Sequence, residues 1–104
     1  MNAEFVRERI TQLRLYKDVS EYQMSYDLGH SRGYINNISA GKSLPSMSEF
    51  FAICEYFGIT PGDFFDDTVR NPQMVRELEA CIRQLDEEDL DLVLKNTKRL
   101  LKRK

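Results

Sequence analysis

Residues 20–45, which read SEYQMSYDLGHSRGYINNISAGKSLP, predict two short helices joined by a tight turn. Ser20 is placed to cap the first helix, and Gln23 stands where the second member of a capping box is found. Gly29 lies where a helix needs a left-handed residue to end, and Ser31 lies where a cap would start a second helix. The two helices therefore follow one another almost without a gap.

The spacing of apolar residues predicts how these helices pack. Met24 and Leu28 lie on the first helix, Ile35 and Ile38 on the second, and each pair forms a narrow stripe on one helix face. Ser25 is small where the helices would cross, so their backbones can approach closely. A helix-turn-helix packs in this way and places its second helix in the major groove of DNA.

The outward face of the second helix would carry Arg32, Gly33, Asn36 and Asn37. Arginine can bridge the two acceptors of guanine, and asparagine can pair with adenine through two hydrogen bonds. Glycine lets a backbone approach another surface closely. This short polar face therefore predicts contacts to base edges.

The chain from about Phe5 to Phe65 resembles the helix-turn-helix domains of the phage repressor and Cro type, the Xre family. The resemblance rests on I-x-x-L-R from Ile10 to Arg14, Ser20, Met24-Ser25, Leu28-Gly29, Ser31, Ile35, Ile38, Gly41-Lys42, Leu44-Pro45-Ser46 and Phe57-Gly58-Ile59. It implies an all-α fold, a lambda-repressor-like five-helix DNA-binding domain. It also implies a sequence-specific transcriptional regulator that binds double-stranded DNA with a recognition helix at about 31–40.

The loop after the recognition helix is expected to contact the DNA backbone. Gly41 ends the helix, and Lys42 and Ser43 follow it, where lysine and backbone N–H groups hold phosphates. We expect Ser31 and Tyr34 to add further backbone contacts from the other end of the helix.

Two residues depart from the family pattern and keep an alternative open. The family usually pairs Arg14 with a glutamate before the glycine that ends the recognition helix, but Ser39 stands there. Glu21 replaces a glutamine that commonly helps hold a phosphate; glutamate suits the positive end of the helix dipole but repels a phosphate. The alternative is a protein-interaction module on the same fold with weak or no DNA binding.

The charge of the chain gives no general attraction to DNA. The formal net charge is −2, and residues 1–65 carry six Lys and Arg against eight Asp and Glu. Residues 66–104 carry nine of each. Any binding to DNA must therefore come from the local arrangement of charges.

Several other classes of function are not expected. No cluster of residues has metal-ligand spacing, and no nucleophile has a recognisable partner motif, so we expect no metal, no cofactor and no enzyme. No apolar run is long enough to span a membrane, and the N-terminus does not resemble a signal peptide. Cys54 and Cys81 lie in helical apolar patterns, which indicates reduced core thiols in a cytoplasmic protein.

The sequence predicts three segments: a DNA-binding domain at 1–65, a linker at 66–71 and a helical hairpin at 72–104. The hairpin helices each carry an apolar stripe, and two such helices need a third surface to bury their joint face. That surface is either the first domain or a second copy of the chain. We expect a homodimer, with these residues in its interface: Leu78, Ile82, Leu90, Val93, Leu94 and Leu101.

Overall fold

A computed structural model describes every residue from Met1 to Lys104 and contains seven helices and no strand. The helices are α1 Ala3–Lys17, α2 Glu21–Asp27, α3 Tyr34–Ser39, α4 Met47–Phe57, α5 Pro61–Phe64, α6 Pro72–Ile82 and α7 Glu87–Lys102. The predicted all-α fold is confirmed, with five helices followed by two more. The chain divides into two compact units, Met1–Gln73 and Met74–Lys104.

The first unit has a continuous apolar core to which all of its first five helices contribute. The buried apolar residues are Ile10, Leu13, Met24, Ile35, Ile38, Phe50, Ile53, Cys54, Phe57, Ile59 and Phe64. Phe64 is fully buried and packs edge-on against Phe50, with ring centroids 4.9 Å apart. The short helix α5 therefore closes the core that α1 to α4 surround.

Side-chain caps fix where several helices begin. Ser20 accepts the N–H of Gln23, and Ser46 and Glu49 form the reciprocal capping box at the start of α4. The predicted box at Ser20 is only half formed, because the Gln23 amide donates to the Asp27 carboxylate instead. A cap of this kind typically stabilises a helix by about 1 kcal/mol.

The recognition helix is shorter than the sequence predicted. Its N-cap is Gly33, which makes no side-chain cap bond, and Ser31 is not the cap that we expected. A helix that began after Ser31 would need the N–H of Ile35 to donate to the Ser31 carbonyl. That N–H donates instead to the Ser25 hydroxyl at 3.1 Å, so Arg32 lies in the turn before the helix.

The predicted linker is bound to α1 through Arg9. The Arg9 side chain is only 5% exposed and donates to the carbonyls of Asp66, Val69 and Arg70 at 2.7, 2.9 and 3.2 Å. Burial lowers the pKa of Arg9, and the nearby acidic side chains oppose that shift. Residues 66–71 therefore belong to the first unit.

The second unit has no buried residue, and only Ile82 and Leu85 are half-buried in it. Its exposed apolar side chains are Met74, Val75, Leu78, Leu90, Leu92, Val93, Leu94, Leu100 and Leu101.

The prediction that both cysteines are core thiols is wrong for Cys81, which is exposed, whereas Cys54 is buried. Burial raises the pKa of Cys54 to about 11.

Candidate nucleic-acid interface

A buried serine joins α2 to α3. The Ser25 side chain is fully buried; its hydroxyl donates to the Glu21 carbonyl at 2.8 Å and accepts the N–H of Ile35 at 3.1 Å. One small side chain thus satisfies a backbone group on each helix. This pair of bonds joins the start of α3 to α2, and the burial of Ile35 and Ile38 sets which face of α3 points outward.

The predicted base-contact residues lie together on the exposed side of α3 and the turn before it. Arg32, Asn36 and Asn37 are exposed, whereas Ile35 and Ile38 on the opposite side are buried. Gly33 is half-buried, yet a Cβ built on it would meet no other atom within 4 Å. The fold therefore presents a polar surface with an open space at its start.

The loop after α3 differs in one respect from its predicted role. Lys42 and Ser43 are exposed as expected, but their backbone N–H groups donate to the Asn37 carbonyl at 2.9 and 3.3 Å. Gly41 makes this closure possible with a φ of +85°, a conformation that favours glycine. The Lys42 ammonium and the hydroxyls of Ser43 and Ser31 are exposed and free to bind a phosphate. The backbone N–H groups of Lys42 and Ser43 are not free, because they already donate to Asn37.

Tyr34 does not offer its hydroxyl to the surface. Its ring stacks on His30, with centroids 3.8 Å apart, and its hydroxyl oxygen is buried. Burial and the nearby Glu49 carboxylate raise the pKa of Tyr34 well above its usual range. The Tyr34 ring packs against the core of the first unit, and the predicted contact of Tyr34 with the DNA backbone stays a prediction.

Residues 9–69 match the family model of the Cro/C1-type HTH DNA-binding domain. The match covers more than half of the chain and includes the whole of α2 and α3. The chain belongs to the Cro/C1-type family. No curated protein and no solved structure matched the chain. Family membership makes this protein a helix-turn-helix DNA-binding regulator.

Glu21 has a role in this Cro/C1-type domain that the sequence did not reveal. Its carboxylate accepts the hydroxyl of Ser39 and the side-chain N–H of Asn36, the latter at 3.1 Å. These bonds, in that order, lower the pKa of Glu21, and the charge of Arg14 adds to the shift. Arg14 itself donates to the Val19 carbonyl at 2.9 Å. The Glu21 carboxylate thus binds two side chains of α3, whereas the hydrogen bond of Arg14 goes to a carbonyl of its own neighbourhood.

A second contact of the Cro/C1-type domain joins the start of α2 to the turn before α3. The guanidinium carbon of Arg32 lies 5.6 Å from the centre of the Tyr22 ring, within the range of a cation–π interaction. No short sequence pattern indicates this contact, because the two residues meet only when α2 and α3 pack. Glu21 and Tyr22 therefore each touch one predicted base-contact residue.

The domain carries no group of three or more His, Cys, Asp or Glu residues that could hold a metal ion. None of the seven helices combines the length and the apolar composition needed to cross a membrane.

Proposed function

We propose that this Cro/C1-type protein binds a specific sequence of double-stranded DNA as a homodimer, with α3 in the major groove. The observation that carries the proposal is the exposed set of Arg32, Asn36 and Asn37 above the buried Ile35 and Ile38. Guanidinium and amide groups have the donor and acceptor pattern that reads guanine and adenine in that groove.

Contacts to the DNA backbone are assigned to the ends of the same surface. The ammonium of Lys42 and the hydroxyls of Ser43 and Ser31 are exposed there, and such groups set the position of a protein on the duplex without reading sequence. Because the chain has a net charge of −2, these local groups supply the attraction. We expect moderate affinity that falls steeply as salt rises.

Pairing of two copies is assigned to the second unit. Its helix α7 has no buried residue, and Leu90, Val93, Leu94 and Leu101 lie on one face over about three helical turns. A contiguous exposed apolar face of this kind favours a partner surface. In the proposed dimer that partner is the same face of a second copy, and two recognition helices then read half-sites about 34 Å apart, or a multiple of that.

The test is selection of bound sequences from random duplex DNA, followed by two substitutions. Arg32→Ala should cost about 1–3 kcal/mol on the selected site and relax one base position. Lys42→Ala should weaken binding to all sequences alike and reduce the salt dependence.

Two results would contradict the proposal. If Arg32→Ala weakened every duplex equally, Arg32 would not read a base. If no duplex were enriched even at low salt, the protein-interaction module that Glu21 favours would be the better description.

A further inference from the structure

We propose that Glu21 is a positioning residue for base reading, because it holds the side-chain amide of Asn36 in one orientation and so sets the base that Asn36 prefers. The inference rests on the proposed function, in which Asn36 faces a base edge. It assigns to the start of α2 a part in sequence specificity, although Glu21 itself touches no base in this proposal.

The chemistry of the contact fixes the orientation of the amide. The Nδ2 atom of Asn36 lies 3.1 Å from Oε1 of Glu21. An ionised carboxylate only accepts hydrogen bonds, whereas an amide has a donor end and an acceptor end. Turning the amide over would bring Oδ1 against a negative oxygen, so the nitrogen stays on Glu21 and Oδ1 points away.

Glu21 is itself held in place, which makes it an effective support. Its second carboxylate oxygen accepts the hydroxyl of Ser39, so each oxygen has its own donor from α3. The two hydrogen bonds also keep the pKa of Glu21 below its usual range, and the group is ionised at neutral pH. The carboxylate is therefore a fixed acceptor next to Asn36.

This orientation predicts which bases Asn36 accepts. Adenine and cytosine each present an amino donor in the major groove, whereas guanine and thymine present only acceptors there. The outward Oδ1 of Asn36 suits an amino donor, and one N–H of the amide remains for the N7 of adenine. An unsupported amide could turn over and donate to guanine or thymine, so Glu21 acts by excluding these bases.

The experiment is selection from random duplex DNA with the full-length wild-type chain and four variants, each checked for folding by circular dichroism. Glu21→Gln keeps the shape of the side chain but offers either a donor or an acceptor, and Glu21→Ala offers neither. In both, we expect the preference for adenine or cytosine over guanine and thymine to fall by about fivefold or more at one base position. Preferences at the other positions should stay as in the wild type.

Two further variants provide the controls. Ser39→Ala removes the bond that holds the second oxygen of Glu21 but keeps Asn36 and the Glu21 carboxylate, so the preference should fall by less than in Glu21→Ala. Asn36→Ala removes the reading group and should abolish the preference at the same position.

The outcomes separate this inference from the proposed function. If Asn36→Ala removes the preference but Glu21→Gln and Glu21→Ala both keep it, Glu21 does not position the amide and the inference is overturned. If Asn36→Ala leaves the selected sequence unchanged, Asn36 reads no base, and the inference and that part of the proposed function fail together. A general gain of affinity in Glu21→Gln would reflect lost repulsion of phosphate, and it leaves the ratio between bases as the deciding measurement.

Discussion

Glycine at position 33 is not required by the fold. Its φ of −93° is open to any residue, and a Cβ there would meet no protein atom within 4 Å. Gly58 differs, because its φ of +67° ends α4 in the left-handed region. In the proposed complex, a DNA backbone or base edge lies close to position 33, and glycine leaves room for it.

Replacing Gly33 should separate binding from stability. Gly33→Ser should change the free energy of unfolding by less than about 0.5 kcal/mol, since serine is at least as good as glycine at an N-cap. Its affinity for the selected DNA site should fall by about 1–3 kcal/mol, the usual cost of an extra group in a packed contact. Urea unfolding and a DNA titration measure the two effects.

Gly58→Ser is the control with the opposite pattern. It should destabilise the domain by about 1–2 kcal/mol through the left-handed backbone, while the folded protein binds DNA as the wild type does. Unchanged DNA affinity in Gly33→Ser would show that no DNA group approaches this residue closely.

At the scale of elements, the sequence predicted those features that depend on neighbouring residues. Apolar spacing and local caps such as Ser46 account for the bounds of α1 and α4. The start of α3 was wrong because Ser25, ten residues earlier in the chain, takes the N–H of Ile35. The contacts of Glu21 with α3 were missed for the same reason, since they form only after α2 and α3 pack.

Arg9 was missed because a charged residue on α1 gives no sign that it is buried. Arg9→Ala removes the donor from three carbonyls in residues 66–70, and charged hydrogen bonds of this kind are individually worth about 1.5–3 kcal/mol. We expect a total loss of about 3 kcal/mol in urea unfolding, because such contributions are not additive. In Arg9→Ala, the backbone amides of residues 66–70 should also exchange hydrogen faster than those of α3.

Two variants test whether the geometry of Arg9, and not its charge alone, produces this effect. Arg9→Lys should fall between wild type and alanine, since one ammonium cannot span the carbonyls that a planar guanidinium reaches. Arg70→Ala removes an exposed charge and leaves the Arg70 carbonyl in place, so it should stay within about 0.5 kcal/mol of wild type. Equal losses in Arg9→Ala and Arg70→Ala would contradict the role of Arg9.

At the scale of the whole molecule, the low net charge and the exposed apolar side chains of the second unit both favour the proposed pairing of two copies. A single short α3 can contact only a few base pairs, and the net charge of −2 adds no general attraction. The second unit meanwhile leaves its apolar side chains exposed, including Leu94 at 52% and Leu101 at 67%. The proposed homodimer would solve both problems, because it would cover this face and double the number of bases that are read.

Replacing both Leu94 and Leu101 with lysine should therefore give a folded monomer. The two leucines are seven residues apart and share one face of α7. A stable protein–protein interface usually buries about 1,200–2,000 Å², and two buried charges would disrupt such an interface. Light scattering should report half the mass of the wild type, and affinity for the selected site should fall sharply, since each half-site is then bound separately. Circular dichroism should show retained helix, because the first unit has its own core.

The matched control places the same two charges on another face of α7. Leu92 is as exposed as Leu101, at 67%. It lies about 200° around the helix from Leu94, and Asn96, four residues further on, lies on the same face as Leu92. The double variant Leu92→Lys, Asn96→Lys should stay dimeric and bind DNA as the wild type does. A wild-type chain that is monomeric at micromolar concentration, or a Leu94→Lys, Leu101→Lys variant that stays dimeric, would refute the assignment of pairing to this face.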